Sequence, residues 1–122
     1  MRIFFTLIAA ALVFWTGNLS ANKNILVSVT AYTPVWNQCD STPFITASNR
    51  RVREGIVALS RDLEKKFNLK WGDKVRLRGL GVFEFQDRMH RRWKRKVDIF
   101  MWNKKKALEF GRKNGVVFEV VG

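Results

Sequence analysis

The sequence predicts a small, mostly β domain whose strands close into a barrel. Six or seven short segments have the alternating or continuously apolar pattern of strands, and only two are typical of helices. The chain has 122 residues and is 47% hydrophobic, which suits one packed core rather than two domains. In so small a β domain, closure into a barrel is the simplest way to leave no strand edge exposed.

Each predicted element follows from a local pattern. Strands are expected at 24–33, 44–48, 54–60, 72–81, 82–87, 96–102 and 115–121. In the segment 72–81, Val75 and Leu77 alternate with Lys74, Arg76 and Arg78, and the last three residues, Gly79 to Gly81, form a tight turn. A short helix is expected at 61–69, with Ser60 as a possible N-cap, and another of about ten residues is expected after Asn103, which is a good N-cap. Two prolines bracket a loop at 34–43. The last strand is apolar on nearly both faces, which predicts a central position.

The first 21 residues resemble a secretory signal peptide. Arg2 supplies the positive charge, an apolar run extends from Ile3 to Trp15, and small and polar residues follow up to Ala21. This run is too short to be a comfortable permanent membrane span. We therefore predict cleavage after Ala21, a mature domain at 22–122, and export to the periplasm or the cell wall and extracellular space. An uncleaved N-terminal anchor is the alternative.

The charge of the chain favours an anionic partner. Lys and Arg number 23 against 10 Asp and Glu, and loss of Arg2 with the signal peptide leaves a net charge of +12. Outside the inner membrane, the anionic polymers available to a polycation are the cell wall, lipid headgroups and extracellular DNA. His90 is the only histidine in the sequence. Cys39 is the only cysteine, and we interpret it as a partly buried structural thiol. No metal site and no cofactor are therefore predicted.

Two aspartates stand out as candidates for chemistry. Asp98 interrupts a predicted strand, where aspartate is unfavourable, and alternation places it on one face with Phe100 and Trp102, an aromatic wall suited to a sugar. Asp87 closes the strand before the basic loop. If the strands at 82–87 and 96–102 form a hairpin, the two carboxyl groups lie close together, and one pKa rises. The alternative is that neighbouring cations keep both acids ionised and structural.

A basic loop separates the two aspartates. Six of the nine residues from Arg88 to Lys96 are Lys or Arg, with His90 and Trp93 among them. Cations interleaved with an aromatic ring suit single-stranded nucleic acid, and they equally suit an anionic glycan. A solvated loop without a ligand is the third interpretation.

Several segments together resemble the 3D domain, a family named for three aspartates and similar to the catalytic barrel of lytic transglycosylase A and to stationary-phase wall-remodelling proteins. The resemblance covers about residues 27–121 and includes the spacing of eleven between Asp87 and Asp98. The segments that carry it are "VTAYTP", "ITASN", "GIVALS", "WGDKVRLRGLGVFEFQDRMHRRWKRKVDIFM" and "ALEFG".

The resemblance implies a six-stranded double-psi β-barrel that acts on peptidoglycan. It implies that Asp98 is the catalytic acid/base and Asp87 the second acid. Tyr32, Thr46 and Ser48 match family motifs near the cleft, where they are expected to bind glycan hydroxyls. The remaining substrate-binding residues that we predict are Trp102 from the aromatic wall and Arg88, His90 and Trp93 from the basic loop.

The implied activity is that of a lytic transglycosylase, which leaves 1,6-anhydro-N-acetylmuramic acid ends. We also predict that the protein is a monomer and has no specific affinity for nucleic acid. At the position of the family's first aspartate this chain has Ser60. That departure favours the alternative of a non-catalytic wall-binding barrel, similar to expansins. A secreted nucleic-acid-binding module, whose affinity falls steeply with salt, is the third possibility.

Overall fold

The computed structural model of the protein describes residues 24–34 and 45–122. The predicted signal peptide at 1–21 lies outside these ranges, as do Cys39 and nearly all of the predicted loop at 34–43. In the described part of the chain, no helix has the length and apolar character needed to cross a membrane.

Six strands and two short helices make up the domain. The strands are β1 (Asn24–Tyr32), β2 (Ile56–Leu59), β3 (Lys74–Leu77), β4 (Gly81–Arg88), β5 (Lys96–Phe100) and β6 (Lys113–Val120). The helices are α1 (Arg61–Lys66), between β2 and β3, and α2 (Lys104–Phe110), between β5 and β6. The prediction of a mostly β domain with one or two short helices is confirmed.

The strands form a closed barrel in the order β1–β5–β2–β4–β3–β6. Two neighbouring pairs are parallel, β1 with β5 and β2 with β4, and the other four are antiparallel. Exchanging β1 with β4, β2 with β5 and β3 with β6 leaves every pairing and its direction unchanged. The topology therefore has an approximate twofold relation between its two halves. Closure leaves no edge strand, as predicted.

Alternating side chains fill the barrel. Val75 and Leu77 of β3 are fully buried while Lys74 and Arg76 are exposed, which confirms the alternation predicted for that strand. The other strands contribute in the same way. The core residues that they supply include Val27, Val29, Val57, Leu59, Phe85, Val97, Ile99 and Phe118. Phe118 lies on β6, which pairs with both β1 and β3 and is central, as its apolar character predicts.

The predicted strand at 44–48 is wrong for the described residues 45–48. Only Ile45 makes an isolated bridge, to Arg51, and residues between them form a turn with Asn49 at a φ of 64°. The Thr46 hydroxyl accepts a hydrogen bond from Arg50 N (3.2 Å) and donates one to Arg50 O (3.1 Å). These local bonds offer the backbone an alternative to a strand ladder, and this explains why the segment turns back.

The hairpin considered for the strands at 82–87 and 96–102 is also wrong. Strand β4 runs parallel to β2, and β2 runs antiparallel to β5, so β2 lies between the two strands that carry the aspartates. The basic loop therefore crosses over an intervening strand. The parallel β2–β4 pair is joined by the long connection through α1 and β3, since parallel neighbours cannot be joined by a tight turn.

Helix α1 is shorter than the predicted 61–69 because the chain leaves the helix at Asn68. Asn68 has a φ of 51°, Leu69 N donates to Glu64 O, and Asn68 N donates to Lys65 O. This is the Schellman arrangement, with asparagine in the left-handed position. Ser60 precedes the helix as predicted, but its side chain makes no cap and instead accepts from Lys96 N at 2.9 Å.

Asn103 caps α2 as predicted, since its side chain accepts a hydrogen bond from Lys106 N at 3.0 Å. We expect Asn103→Ala to lower the free energy of unfolding by about 1 kcal/mol, because one N–H of the first turn then has no partner in the protein. Urea unfolding followed by circular dichroism measures this loss. Lys105→Ala, at an exposed position of the same helix, is the control and should change stability little. Equal stability of both variants would contradict the role given to the cap.

Candidate functional site

Asp98 and Asp87 lie on either side of one residue of β2. Ala58 is the Cα partner of Asp98 on β5 and also of Asp87 on β4, while Asp98 is in turn the partner of Thr30 on β1. Partners in register point to the same side of a sheet, so these four side chains form one row across four strands. Two strand spacings separate the aspartate Cα atoms by about 10 Å.

This row faces outward from the barrel. Val97 and Ile99 belong to the barrel core, so the alternate residues Asp98 and Phe100 point to the other side. There Phe100 is fully buried in a second, smaller apolar cluster with Val52 and Ile56, against which Tyr32 packs. The prediction that Asp98 and Phe100 share a face is consistent with this register, and the Phe100 cluster therefore lies on the same face of the sheet as Asp98.

A β-bulge directs Asp87 into the row. Val57 pairs with Phe85 and the next residue, Ala58, pairs with Asp87, so Gln86 is the extra residue of β4. Without the bulge, strict alternation would place Asp87 on the same side as Phe85, inside the barrel. Bulges commonly redirect side chains beside functional sites. Gln86 itself is buried, and within the described residues its Oε1 has no hydrogen-bond donor.

Asp98 is half-buried, and burial is the main cause of a raised pKa. The negative charge of Asp87 raises this pKa further, while a hydrogen bond from the Thr30 hydroxyl and the charge of Lys96 lower it. The net direction is upward. Asp98 is therefore the carboxyl group of this pocket that keeps its proton at a higher pH than an ordinary aspartate.

Asp87 is held by three donors. Its Oδ1 accepts from Ala47 N and from Arg88 N, each at 2.9 Å, and its Oδ2 accepts from the Tyr32 hydroxyl at 3.2 Å. The Tyr32 pKa is raised, first by burial and then by the nearby charge of Asp87. Tyr32 therefore stays protonated and remains a donor. The turn after Ile45, although not a strand, serves the site by presenting Ala47 N–H to Asp87.

An open pocket of about 210 Å³ contains both carboxyl groups. The pocket is lined by six of the nine predicted site residues, together with Ala58 and Met89. The six are Tyr32, Asp87, Arg88, His90, Trp93 and Asp98. The pocket is thus formed by β1, β2, β4, β5 and the basic loop. The two strands that carry the aspartates, β4 and β5, are not neighbours in the barrel.

The other three predicted site residues lie elsewhere. Thr46 is buried, and its hydroxyl is engaged with Arg50 and with the Ser48 hydroxyl 2.8 Å away. Both belong to the turn that holds Asp87 and do not line the pocket. Trp102 packs edge-on against Phe100 with ring centroids 4.9 Å apart, and it lines a separate cleft of about 560 Å³ beside α2.

The basic loop is partly tied to the barrel. Arg88 makes a two-pronged ion pair with Glu64 (2.6 and 2.7 Å) and lies over the Trp71 ring. Trp93 has Lys96 and Arg92 within 3.7 and 4.8 Å of its ring centroid. Trp93 therefore enters the pocket as an aromatic ring already flanked by cations, a setting that favours an anionic or strongly polar ligand over an apolar one.

The sequence interpretation missed four residues that shape the site, namely Ala47, Ala58, Thr30 and Lys96. Thr30 was accessible from the pattern, because it lies two residues before Tyr32 in a strand and must share its face. Ala47 and Ala58 carry no chemical signal in the sequence. Within residues 24–34 and 45–122, no three histidine, cysteine or carboxylate side chains are grouped so as to hold a metal ion.

The chain was compared with protein-family models and with curated proteins, and neither comparison found a match. The resemblance to the 3D domain therefore remains a prediction.

The raised pKa of Asp98 predicts a pH-dependent cost to stability. Between the ordinary aspartate pKa of about 4 and the raised value, the native state keeps a proton that the unfolded chain has lost, so stability falls as pH rises. Asp98→Asn removes this ionisation and keeps an acceptor for Thr30. We expect the variant to be more stable than the wild type at pH 7, and the gap to shrink toward pH 4.

Urea unfolding of both proteins at pH 4, 5.5 and 7 measures this gap. The comparison between variants is needed because Glu84 and Glu119, whose pKa values are lowered by their hydrogen-bonded partners, change stability in the opposite direction in both proteins. A variant that is less stable than the wild type at pH 7 would contradict the assignment.

Proposed function

We propose that this protein is an exported lytic transglycosylase that cleaves the glycan strands of peptidoglycan, with Asp98 as its acid and base. The observation that carries the proposal is the presence of Asp98, a half-buried carboxyl group with a raised pKa, in one open pocket with Asp87. Protonation of a glycosidic oxygen needs an acid that still carries its proton, and a raised pKa favours the protonated form of Asp98.

In the proposed reaction, Asp98 gives its proton to the glycosidic oxygen that follows N-acetylmuramic acid, and the bond from this oxygen to C1 breaks. The resulting Asp98 carboxylate takes the proton of the 6-hydroxyl of the same sugar, whose oxygen bonds to C1. The product is a 1,6-anhydro end, and Asp98 regains its proton. One carboxyl group can act in both steps because the nucleophile belongs to the substrate and is already in place.

Asp87 supports this chemistry through its charge and position. Its carboxylate is held by hydrogen bonds from the Tyr32 hydroxyl and from the N–H groups of Ala47 and Arg88. Only Ala58 of β2 lies between Asp87 and Asp98 in the row. Its negative charge favours the protonated form of Asp98 in the resting enzyme. His90, Trp93 and Arg88 line the same pocket, where they would contact the sugar and its substituents.

We further propose that the barrel has the double-psi topology and acts in the periplasm or cell wall as a monomer. The support for the topology is the closed six-stranded order with two parallel pairs and a twofold relation between its halves. The mechanism calls for no cofactor. The support for export is the sequence of residues 1–21.

A non-catalytic, expansin-like wall-binding barrel is the second candidate, and Ser60 favours it. Ser60 is fully buried and its hydroxyl accepts from Lys96 N, so the strand that carries Ala58 brings no third carboxyl group to the pocket. In addition, Thr30 and Lys96 both favour the ionised form of Asp98. A barrel of this kind would bind glycan through the same pocket without cleaving it.

Mass spectrometry of purified peptidoglycan after incubation with the mature protein separates these candidates. Anhydro-muropeptides in the soluble fraction would support the lytic transglycosylase. Soluble fragments with reducing ends would point to a hydrolase and would contradict the intramolecular step. Wall binding in a pull-down with no soluble fragments would favour the non-catalytic barrel.

A further inference from the structure

Another cavity, distinct from the acid pocket and from the cleft beside α2, is lined mainly by arginines. It has a volume of about 260 Å³, and its walls are formed by Arg50, Arg51, Arg53, Glu84 and Gln86. Ligand sites for whole drug-sized molecules begin at about 300 Å³, so this cavity suits one polar end of a larger ligand. The sequence predicts anion binding by the basic loop, and none of the residues that line this cavity belongs to that loop.

The charges in this cavity do not balance. Among the described residues that line it, Glu84 is the one acid, and it is already paired with Arg53 at 2.8 Å and approached by Lys74 at 3.8 Å. Within residues 24–34 and 45–122, the guanidinium groups of Arg50 and Arg51 make no ion pair. Like charges that share a cavity repel one another, and an oxyanion bound between them would remove that repulsion.

The cavity and the acid pocket are connected by the same backbone. Gln86 lines the cavity and the next residue, Asp87, lines the pocket. The turn that carries Arg50 also reaches both, because Ala47 N donates to Asp87 and Ser48 N donates to Gln86 O. The pocket and the cavity are therefore lined by consecutive residues of β4, whose Cα atoms are about 3.8 Å apart.

We propose that Arg50 and Arg51 form an oxyanion subsite that binds a carboxylate or phosphate group carried by the substrate next to the sugar in the acid pocket. This inference rests on the proposed function and adds a specificity to it. Guanidinium groups bind planar oxygen pairs through two parallel hydrogen bonds, which lysine cannot reproduce. In peptidoglycan, the peptide attached to the muramic sugar supplies carboxylates, and attached wall polymers supply phosphates.

The test is a binding measurement in the full mature chain carrying Asp98→Asn, so that no probe is consumed. Isothermal titration calorimetry at one fixed ionic strength compares three probes: a disaccharide bearing its peptide, the same disaccharide without peptide, and inorganic phosphate. The test variant adds Arg50→Gln and Arg51→Gln. The matched control adds Lys104→Gln and Lys105→Gln, which remove two exposed charges from α2.

We expect the arginine pair of substitutions to weaken binding of the peptide-bearing disaccharide at least tenfold and of the peptide-free disaccharide less than twofold. The lysine pair should change both less than twofold. Arg50→Lys with Arg51→Lys should give an intermediate loss, because it keeps the charge and removes the two-pronged geometry. If inorganic phosphate alone shows the arginine-dependent loss, the subsite holds and its ligand is a phosphate group.

Equal losses of affinity for the peptide-bearing disaccharide in the arginine and lysine variants would contradict the subsite. Binding would then be explained by the general attraction of a basic protein for anions. No loss from the arginine pair would contradict the subsite as well. Circular dichroism establishes that each variant is folded. Failure of the proposed function is seen separately, as a lack of cleavage by the wild type, whichever probe binds.

Discussion

Replacing Asp98 with asparagine is expected to slow the cleavage of peptidoglycan by about a thousandfold while the barrel stays folded. The amide has the same shape and still accepts the hydrogen bond from Thr30. It has no acidic proton for the glycosidic oxygen, and it cannot then take the proton of the 6-hydroxyl. Both halves of the proposed reaction are lost in a single substitution.

The initial rate of release of soluble anhydro-muropeptides measures this effect. Asp73→Asn is the matched control, because it also neutralises one aspartate but lies outside the pocket, where it accepts from Lys70 N. Its rate should stay within about twofold of the wild type, as expected of a substitution that touches no reacting group. A folded Asp98→Asn protein that retains half of the wild-type rate would rule out Asp98 as the acid and base.

The same substitution at Asp87 separates the roles of the two carboxyl groups. Asp87→Asn removes the charge that helps to raise the Asp98 pKa, but leaves the proton donor in place. We expect a smaller loss of rate, on the order of tenfold, and a pH–rate profile whose basic limb moves to lower pH. An unchanged profile would mean that Asp87 acts by another route.

Phe85→Ala is expected to lower the free energy of unfolding by about 3–5 kcal/mol. Phe85 is fully buried in the barrel core, its ring centroid is 4.6 Å from that of Trp71, and it forms the last regular β2–β4 pair, with Val57, before the bulge. Truncation leaves a cavity that the closed strand order cannot easily fill. A domain of this size has about 5–15 kcal/mol of stability in total, so the variant should be marginally folded.

Urea unfolding measures this loss, and Val82→Ala on the same strand is the control. Val82 is 46% exposed, so its truncation should change stability by about 0.5 kcal/mol or less. If Phe85→Ala were no more harmful than Val82→Ala, the alternation that defines the interior of β4 would be wrong. The position of the bulge, and with it the direction of Asp87, would then need revision.

The sequence by itself determined the features that depend on near neighbours along the chain. Alternation in β3 separated the buried Val75 and Leu77 from the exposed Lys74 and Arg76. Asn103 marked the start of α2, because a cap needs only the first turn of its own helix. Aspartate inside a strand singled out Asp98, because only a specific environment compensates for its unfavourable position there.

Only the tertiary structure decided how the two aspartates meet. The sequence suggested a hairpin, whereas β2 lies between their strands and Ala58 separates them. A one-residue bulge at Gln86 turns the Asp87 side chain outward. The backbone N–H of Ala47 donates a hydrogen bond to Asp87. Strand order and register arise from contacts between residues far apart in the chain, where closure and packing choose among pairings that the local pattern leaves equally favourable.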